Sequence, residues 1–107
     1  MVICPCSMGT LGRIAAGISG TLIERTADVM LKERRLFILV PRETPLHEIH
    51  LENLLKLSRM GVRIVPAMPA FYHNPSTMED LVDFLVGKVL DSMGIGHDLF
   101  RRWGAET

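Results

Sequence analysis

The sequence has no excess charge of either sign. Twelve Lys and Arg are balanced by twelve Asp and Glu over 107 residues, so no global field gathers nucleic acid or an anionic membrane surface, and any anion site must be local. Long hydrophobic runs are missing too. The longest apolar stretches are five or six residues, against about 20 for a membrane-spanning helix, and no basic-then-apolar leader pattern is present. The expectation is a cytoplasmic protein with neither membrane nor nucleic-acid partners. Cysteine is scarce. Cys4 and Cys6 are the only two; two apart at the end of an apolar run, they are badly placed for a mutual disulfide and supply at best half a zinc site. Buried, inert thiols and no metal are expected. There is no internal repeat or low-complexity tract. What remains is an apolar content of 48%, enough for the core of one domain.

Hydrophobic patterning alternates between short runs and helical spacing. Met1-Val2-Ile3-Cys4 reads as a buried strand stopped by Pro5, and a two-piece helical crossover follows over Leu11–Ile18 and Thr21–Arg35, broken at Ser19-Gly20. Leu36–Val40 is the clearest buried strand, ended by Pro41. Thr44 as N-cap with Pro45 at the first helical position predicts a second crossover helix carrying Leu46, Ile49, Leu54, Leu57 and Met60 up to Gly61. Val62–Val65 is a third strand, ended by Pro66, and opens into the loop Ala67–Pro75. Ser76 and Glu79 form a predicted capping box for a last helix, with apolar residues from Met78 to Met93 at helical spacing and a stop at Gly94.

This order predicts an α/β protein: a doubly wound parallel sheet of Rossmann-like or flavodoxin-like, three-layer type, with residues 1–94 as β-α-β-α-β-α and 95–107 as an arm anchored by Leu99, Phe100 and Trp103. Three strands are few for such a sheet. The expectation is that further strands or a neighbouring subunit complete it, and that the chain by itself is not a stable monomer.

Ligands of open parallel sheets bind beyond the carboxyl ends of the strands, which here are three proline-ended junctions. The first offers Ser7 and Thr10 beside Gly9 at a helix start, suited to a phosphate or ring edge, although the same pattern also serves as a plain cap. The second places Arg42 and Glu43 directly after the most buried strand. A guanidinium fork can hold a phosphate or carbonyl, and a desolvated carboxyl can exchange protons; a simple ion pair is the alternative. The third, Pro69-Ala70-Phe71-Tyr72-His73, joins aromatic surface to a hydroxyl and an imidazole, with His73 either a base or a solvent-exposed loop residue. Lys88, one turn beyond Phe84, reads from spacing alone as a snorkelling surface lysine, and Lys32 as part of a solvated, basic helix end.

The runs Pro5-Cys6-Ser7-Met8-Gly9-Thr10-Leu11, Ala27 to Arg35, Val40-Pro41-Arg42-Glu43-Thr44-Pro45-Leu46 and Pro69-Ala70-Phe71-Tyr72-His73 closely resemble the UbiX-type flavin prenyltransferases, formerly called aromatic acid or 3-octaprenyl-4-hydroxybenzoate decarboxylases. The resemblance extends over nearly the whole sequence and is to the carboxyl-terminal half of those proteins, whose glycine-rich flavin loop is not found here, which implies that this chain alone binds flavin poorly. It implies FMN as cofactor, bound by Ser7, Met8, Gly9, Thr10 and Arg42. It implies dimethylallyl phosphate as substrate, held by Tyr72, Lys88 and Lys32, with Lys32 and Glu43 in catalytic roles and Glu43 transferring protons. Many relatives carry arginine where this chain has Lys88, which keeps the charge but not the fork.

The implied reaction is metal-independent transfer of the dimethylallyl group to reduced FMN. The product, prenylated FMN, goes to a UbiD-type decarboxylase of ubiquinone synthesis or aromatic acid breakdown. The resemblance also implies a homo-oligomer, often a dodecamer, with sites at subunit contacts. The rival functions are an FMN-dependent decarboxylase of the related cysteine-decarboxylase fold and a non-catalytic, truncated flavin-binding subunit.

Overall fold

The computed structural model describes residues 1–102. Trp103, expected to anchor the arm, lies outside them. The chain forms two compact units, Met1–Pro66 and Ala67–Thr107.

The first unit is a parallel sheet in the order β1-β2-β3 (Val2–Cys6, Ile38–Pro41, Arg63–Ile64), joined by α1 (Met8–Ala15), α2 (Leu22–Lys32) and α3 (Glu48–Arg59). The α/β architecture is the one expected. β1 differs in detail: it continues through Pro5 to Cys6, with a register shift between Ile3 and Cys6. Proline has no N–H to give the ladder, but on an edge strand at an irregularity none is required. α1 packs on both α2 and α3. Ile3, Leu11, Ile14, Ala27, Phe37, Leu39 and Leu57 are central to the resulting core, and the alternate residues of β2, Ile38 and Val40, are also fully buried.

The start of α3 is corrected. Thr44 and Pro45 lie in a bend, and the N-cap is His47. The Nδ1 of His47 accepts from His50 N–H at 3.2 Å, and the Nδ1 of His50 accepts from His47 N–H at 3.4 Å. An imidazole acceptor thus takes the place usually filled by a hydroxyl or carboxylate. Gly61, at φ +92°, turns the chain out of α3 in a conformation that a Cβ disfavours.

The second unit is built on α4 (Met78–Ser92). Its capping box is one residue later than expected, with Thr77 as N-cap and Asp80 at N3, while Ser76 donates through both N–H and Oγ to the same Asp80 carboxylate. These donors, the Ser76 N–H foremost, hold the Asp80 carboxyl below its ordinary range. After Gly94 the chain folds back along α4. A Cβ on Gly87 would lie 2.3 Å from a ring carbon of Phe100 and 2.6 Å from one of His97, so the close seating of this segment depends on glycine there.

Candidate functional site

The first proline-ended junction meets the second at the carboxyl edge of the sheet. Cys6 is in register with Pro41, so the next residues, Ser7 and Arg42, leave adjacent strands side by side. Together with Ile3, Pro5, Cys6, Thr10 and Ile23 they line an open cavity of about 370 Å³. Its walls are mainly apolar, and its polar groups are two hydroxyls and a guanidinium. Ser7 is the N-cap of α1: its Oγ accepts from Thr10 N–H at 3.1 Å and donates to Thr10 Oγ1 at 3.1 Å. The capping role and the cavity-lining role, alternatives in the sequence, fall on the same residue. The Cys6 thiol is buried and pushed up to about 11, chiefly by that burial, which makes it a wall and not a nucleophile. Cys4, expected to be buried, is exposed. Among the described residues no group of three or more potential metal ligands occurs.

The remaining predicted site residues divide by position. Gly9 is exposed on the first turn of α1, whereas the Met8 side chain is part of the core. Glu43 follows Arg42, is exposed, and accepts from Thr44 N–H at 3.3 Å. Lys32 ends α2, where the chain turns to enter β2. That is the amino edge of the sheet, so one copy of the chain does not bring Lys32 to Arg42. A second cavity, about 230 Å³, lies at this edge between Arg34, Arg35, Phe37, Met60 and Val62.

In the second unit Tyr72 and Lys88 both flank Phe84. The Tyr72 ring meets Phe84 edge-on at 5.9 Å, and Lys88 Nζ lies 5.5 Å from the ring centroids of both Phe84 and Phe100. A lysine held over two aromatic faces is not a freely snorkelling one. His73 is likewise not the solvent-exposed loop residue considered above: its ring stacks on Phe84 at 5.2 Å, with both nitrogens buried and, among the described residues, without hydrogen-bond partners. Asp91 fastens the returning segment. It accepts two bonds of 2.9 Å from Arg102 and lies 2.8 Å from His97 Nε2. The Arg102 guanidinium, with His97 assisting, holds the Asp91 carboxyl down at about 2.

Sequence reasoning passed over Arg13 and Glu24. Among the described residues Glu24 is a buried charged residue, with 2% of its surface exposed, and it accepts from Arg13 Nε–H and, at 3.1 Å, from Gly20 N–H. The Arg13 hydrogen bond is the main cause of the lowered Glu24 pKa. The spacing of Thr10 and Arg13 along one helix face was the available signal.

An open parallel α/β sheet with a hydroxyl-and-guanidinium cavity at its carboxyl edge defines a protein of nucleotide- or flavin-binding type. Residues 1–90 match the Flavoprotein family, and the chain belongs to that family. It is 69% identical over 106 residues, 99% of its length and 52% of the relative's, to the flavin prenyltransferase UbiX of Halalkalibacterium halodurans. To the UbiX of Pseudomonas aeruginosa it is 58% identical, covering 51% of that protein. The chain thus spans about half the length of the curated relatives it matches. Among solved structures it is similar to a dodecameric FMN-dependent UbiX-like decarboxylase from Escherichia coli O157:H7, with TM-score 0.94 and 55% identity over 98% of this chain and 57% of that one. It is also similar to AnUbiX in complex with FMN and dimethylallyl pyrophosphate, with TM-score 0.95 and 50% identity over 100% of this chain and 57% of that one.

Proposed function

We propose that this chain forms part of a flavin prenyltransferase, transferring a dimethylallyl group from dimethylallyl phosphate to reduced FMN. The observation that carries the reading is the convergence of Ser7, Thr10 and Arg42 on one apolar-walled cavity. Those residues fit a flavin mononucleotide: the apolar walls suit an aromatic ring, and the hydroxyls, the α1 amino terminus and Arg42 suit its oxygens. Solved relatives that are FMN-dependent or hold FMN and dimethylallyl pyrophosphate support the same reading.

Bound reduced FMN would supply the electron-rich ring nitrogen that accepts the prenyl group. The protein's own residues do the rest. Lys88 and Tyr72 hold the substrate phosphate, and Lys88, held over two aromatic faces, stabilises the phosphate as it departs. Lys32, at the amino edge in one copy, joins the phosphate site of a neighbouring copy in a homo-oligomer, a dodecamer by analogy with the E. coli relative. Glu43, exposed beside Arg42, takes and returns protons. Met8 and Gly9 contribute main-chain groups at the flavin edge. The product passes to a UbiD-type decarboxylase, and the work is done in the cytoplasm; among the described residues no helix is long and apolar enough to cross a membrane.

Mass spectrometry of flavin after anaerobic incubation with reduced FMN and dimethylallyl phosphate tests this. The protein would be a chimera in which these residues replace the matching segment of the H. halodurans relative. A flavin heavier by one five-carbon prenyl unit is expected. Unmodified FMN only, from a folded chimera, would refute the proposal.

A further inference from the structure

Arg13 Nη2 donates to Thr10 Oγ1 at 3.4 Å, while its Nε–H donates to the buried carboxylate of Glu24. The guanidinium lies along the first turn of α1, where a Cβ on Gly9 would already touch its Nη1 at 3.4 Å and stand 3.9 Å from Ser7 Oγ. Glu24 cannot drift. Its second oxygen accepts from Gly20 N–H, its own N–H is capped by Thr21 Oγ1 at 3.1 Å, and the next residue back, Ile23, forms part of the cavity wall. Well-packed apolar residues in place of a buried ion pair often serve stability as well or better, so the pairing of Arg13 with Glu24 calls for another purpose.

Hydrogen-bond accounting supplies one. A hydroxyl has one proton to give and two lone pairs to fill. Thr10 Oγ1 receives Ser7 Oγ–H at 3.1 Å and Arg13 Nη2–H at 3.4 Å. Arginine can only donate, and Ser7 Oγ is itself engaged by Thr10 N–H. With the Ser7 proton given to Thr10 and Arg13 on the second lone pair, both acceptor positions of Thr10 are taken, and its proton is left for the cavity that Thr10 lines.

We propose that Arg13, anchored by Glu24, is a positioning residue that fixes the Thr10 hydroxyl as a donor into the cavity, selecting a ligand that presents an acceptor oxygen there. The inference rests on the flavin reading for the identity of that ligand, not for the coupling of Arg13 to Thr10. The long 3.4 Å contact is weak singly; its effect lies in occupying the lone pair.

Two measurements test it, the first on the 107-residue protein and the second on the chimera with the H. halodurans relative. The first, without ligand, is the Thr10 side-chain three-bond coupling by NMR. One rotamer is expected in the parent, averaged values in Arg13→Ala, and partial recovery in Arg13→Lys. An unchanged coupling in Arg13→Ala overturns the proposal. The second is a double-mutant cycle on FMN affinity with Thr10→Val. Arg13→Ala should weaken FMN binding roughly fivefold, the scale of one hydrogen bond, and should have no further effect once Thr10 is valine. An equal loss in both backgrounds means that Arg13 acts structurally and overturns the proposal. Riboflavin run in parallel locates the acceptor: equal losses place it on the ring system, and a loss with FMN only places it on the phosphate. A parent chimera that folds but fails to bind FMN, while the Thr10 coupling responds to Arg13, removes the flavin reading and leaves the positioning role standing.

Discussion

Cys6 of β1 and Pro41 of β2 face each other in register, and this pairing delivers Ser7 and Arg42 to the same cavity. Replacing Arg42 removes the site's guanidinium without touching the core, because the residue is exposed. Arg42→Ala is expected to weaken FMN binding about tenfold or more in a fluorescence titration, and Arg42→Lys to recover only part of it, since a point charge lacks the fork. Melting temperatures of the variants should stay close to the parent's.

Lys88→Ala should separate the two ligands. If its partner is the substrate phosphate, the apparent KM for dimethylallyl phosphate rises by about tenfold or more, the worth of a charge-assisted bond, while FMN affinity is nearly unchanged. Equal losses of both in parallel titrations would contradict the assigned role.

Gly87→Ala tests the seating of the returning segment. The added methyl would overlap the positions of Phe100 and His97, so a loss of about 1–3 kcal/mol is expected from overpacking. Denaturant unfolding measures it. A Phe100→Leu change in the same background should relieve part of the loss.

The tie between Asp91, His97 and Arg102 has a defined pH sense. The folded Asp91 pKa, about 2, lies below its ordinary 3.8, so its contribution is fully present above about pH 4 and is lost as pH falls through the folded value. NMR signals of His97 and Phe100 should report the release of the segment between roughly pH 4 and 2, and Asp91→Asn should abolish that step.

The order of strands and helices was legible because each strand is marked by a short apolar run with a proline at or near its end, and each helix carries an apolar stripe. The convergence of Ser7 and Arg42 was legible for the same reason: consecutive parallel strands end on the same edge. Details of capping were not. Ser76 with Glu79 and Thr77 with Asp80 satisfy the same spacing, and only the fold chooses between them; the cap at His47 uses an acceptor that pattern rules rank low. The Arg13–Glu24 pair was invisible because it joins two helices eleven residues apart in sequence, and the burial of His73 because it depends on Phe84 stacking from another element. Tertiary packing decides both.

Mapping where FMN binds tests the account most directly, because two of the cavities of the first unit lie at opposite edges of one sheet. Amide chemical shifts of the isotope-labelled protein would be followed as FMN is added. The account predicts the largest changes at Ser7, Thr10 and Arg42 and none at Arg34, Arg35 and Val62. Changes centred on Arg34, Arg35 and Val62 instead, with Ser7, Thr10 and Arg42 unmoved, would contradict it.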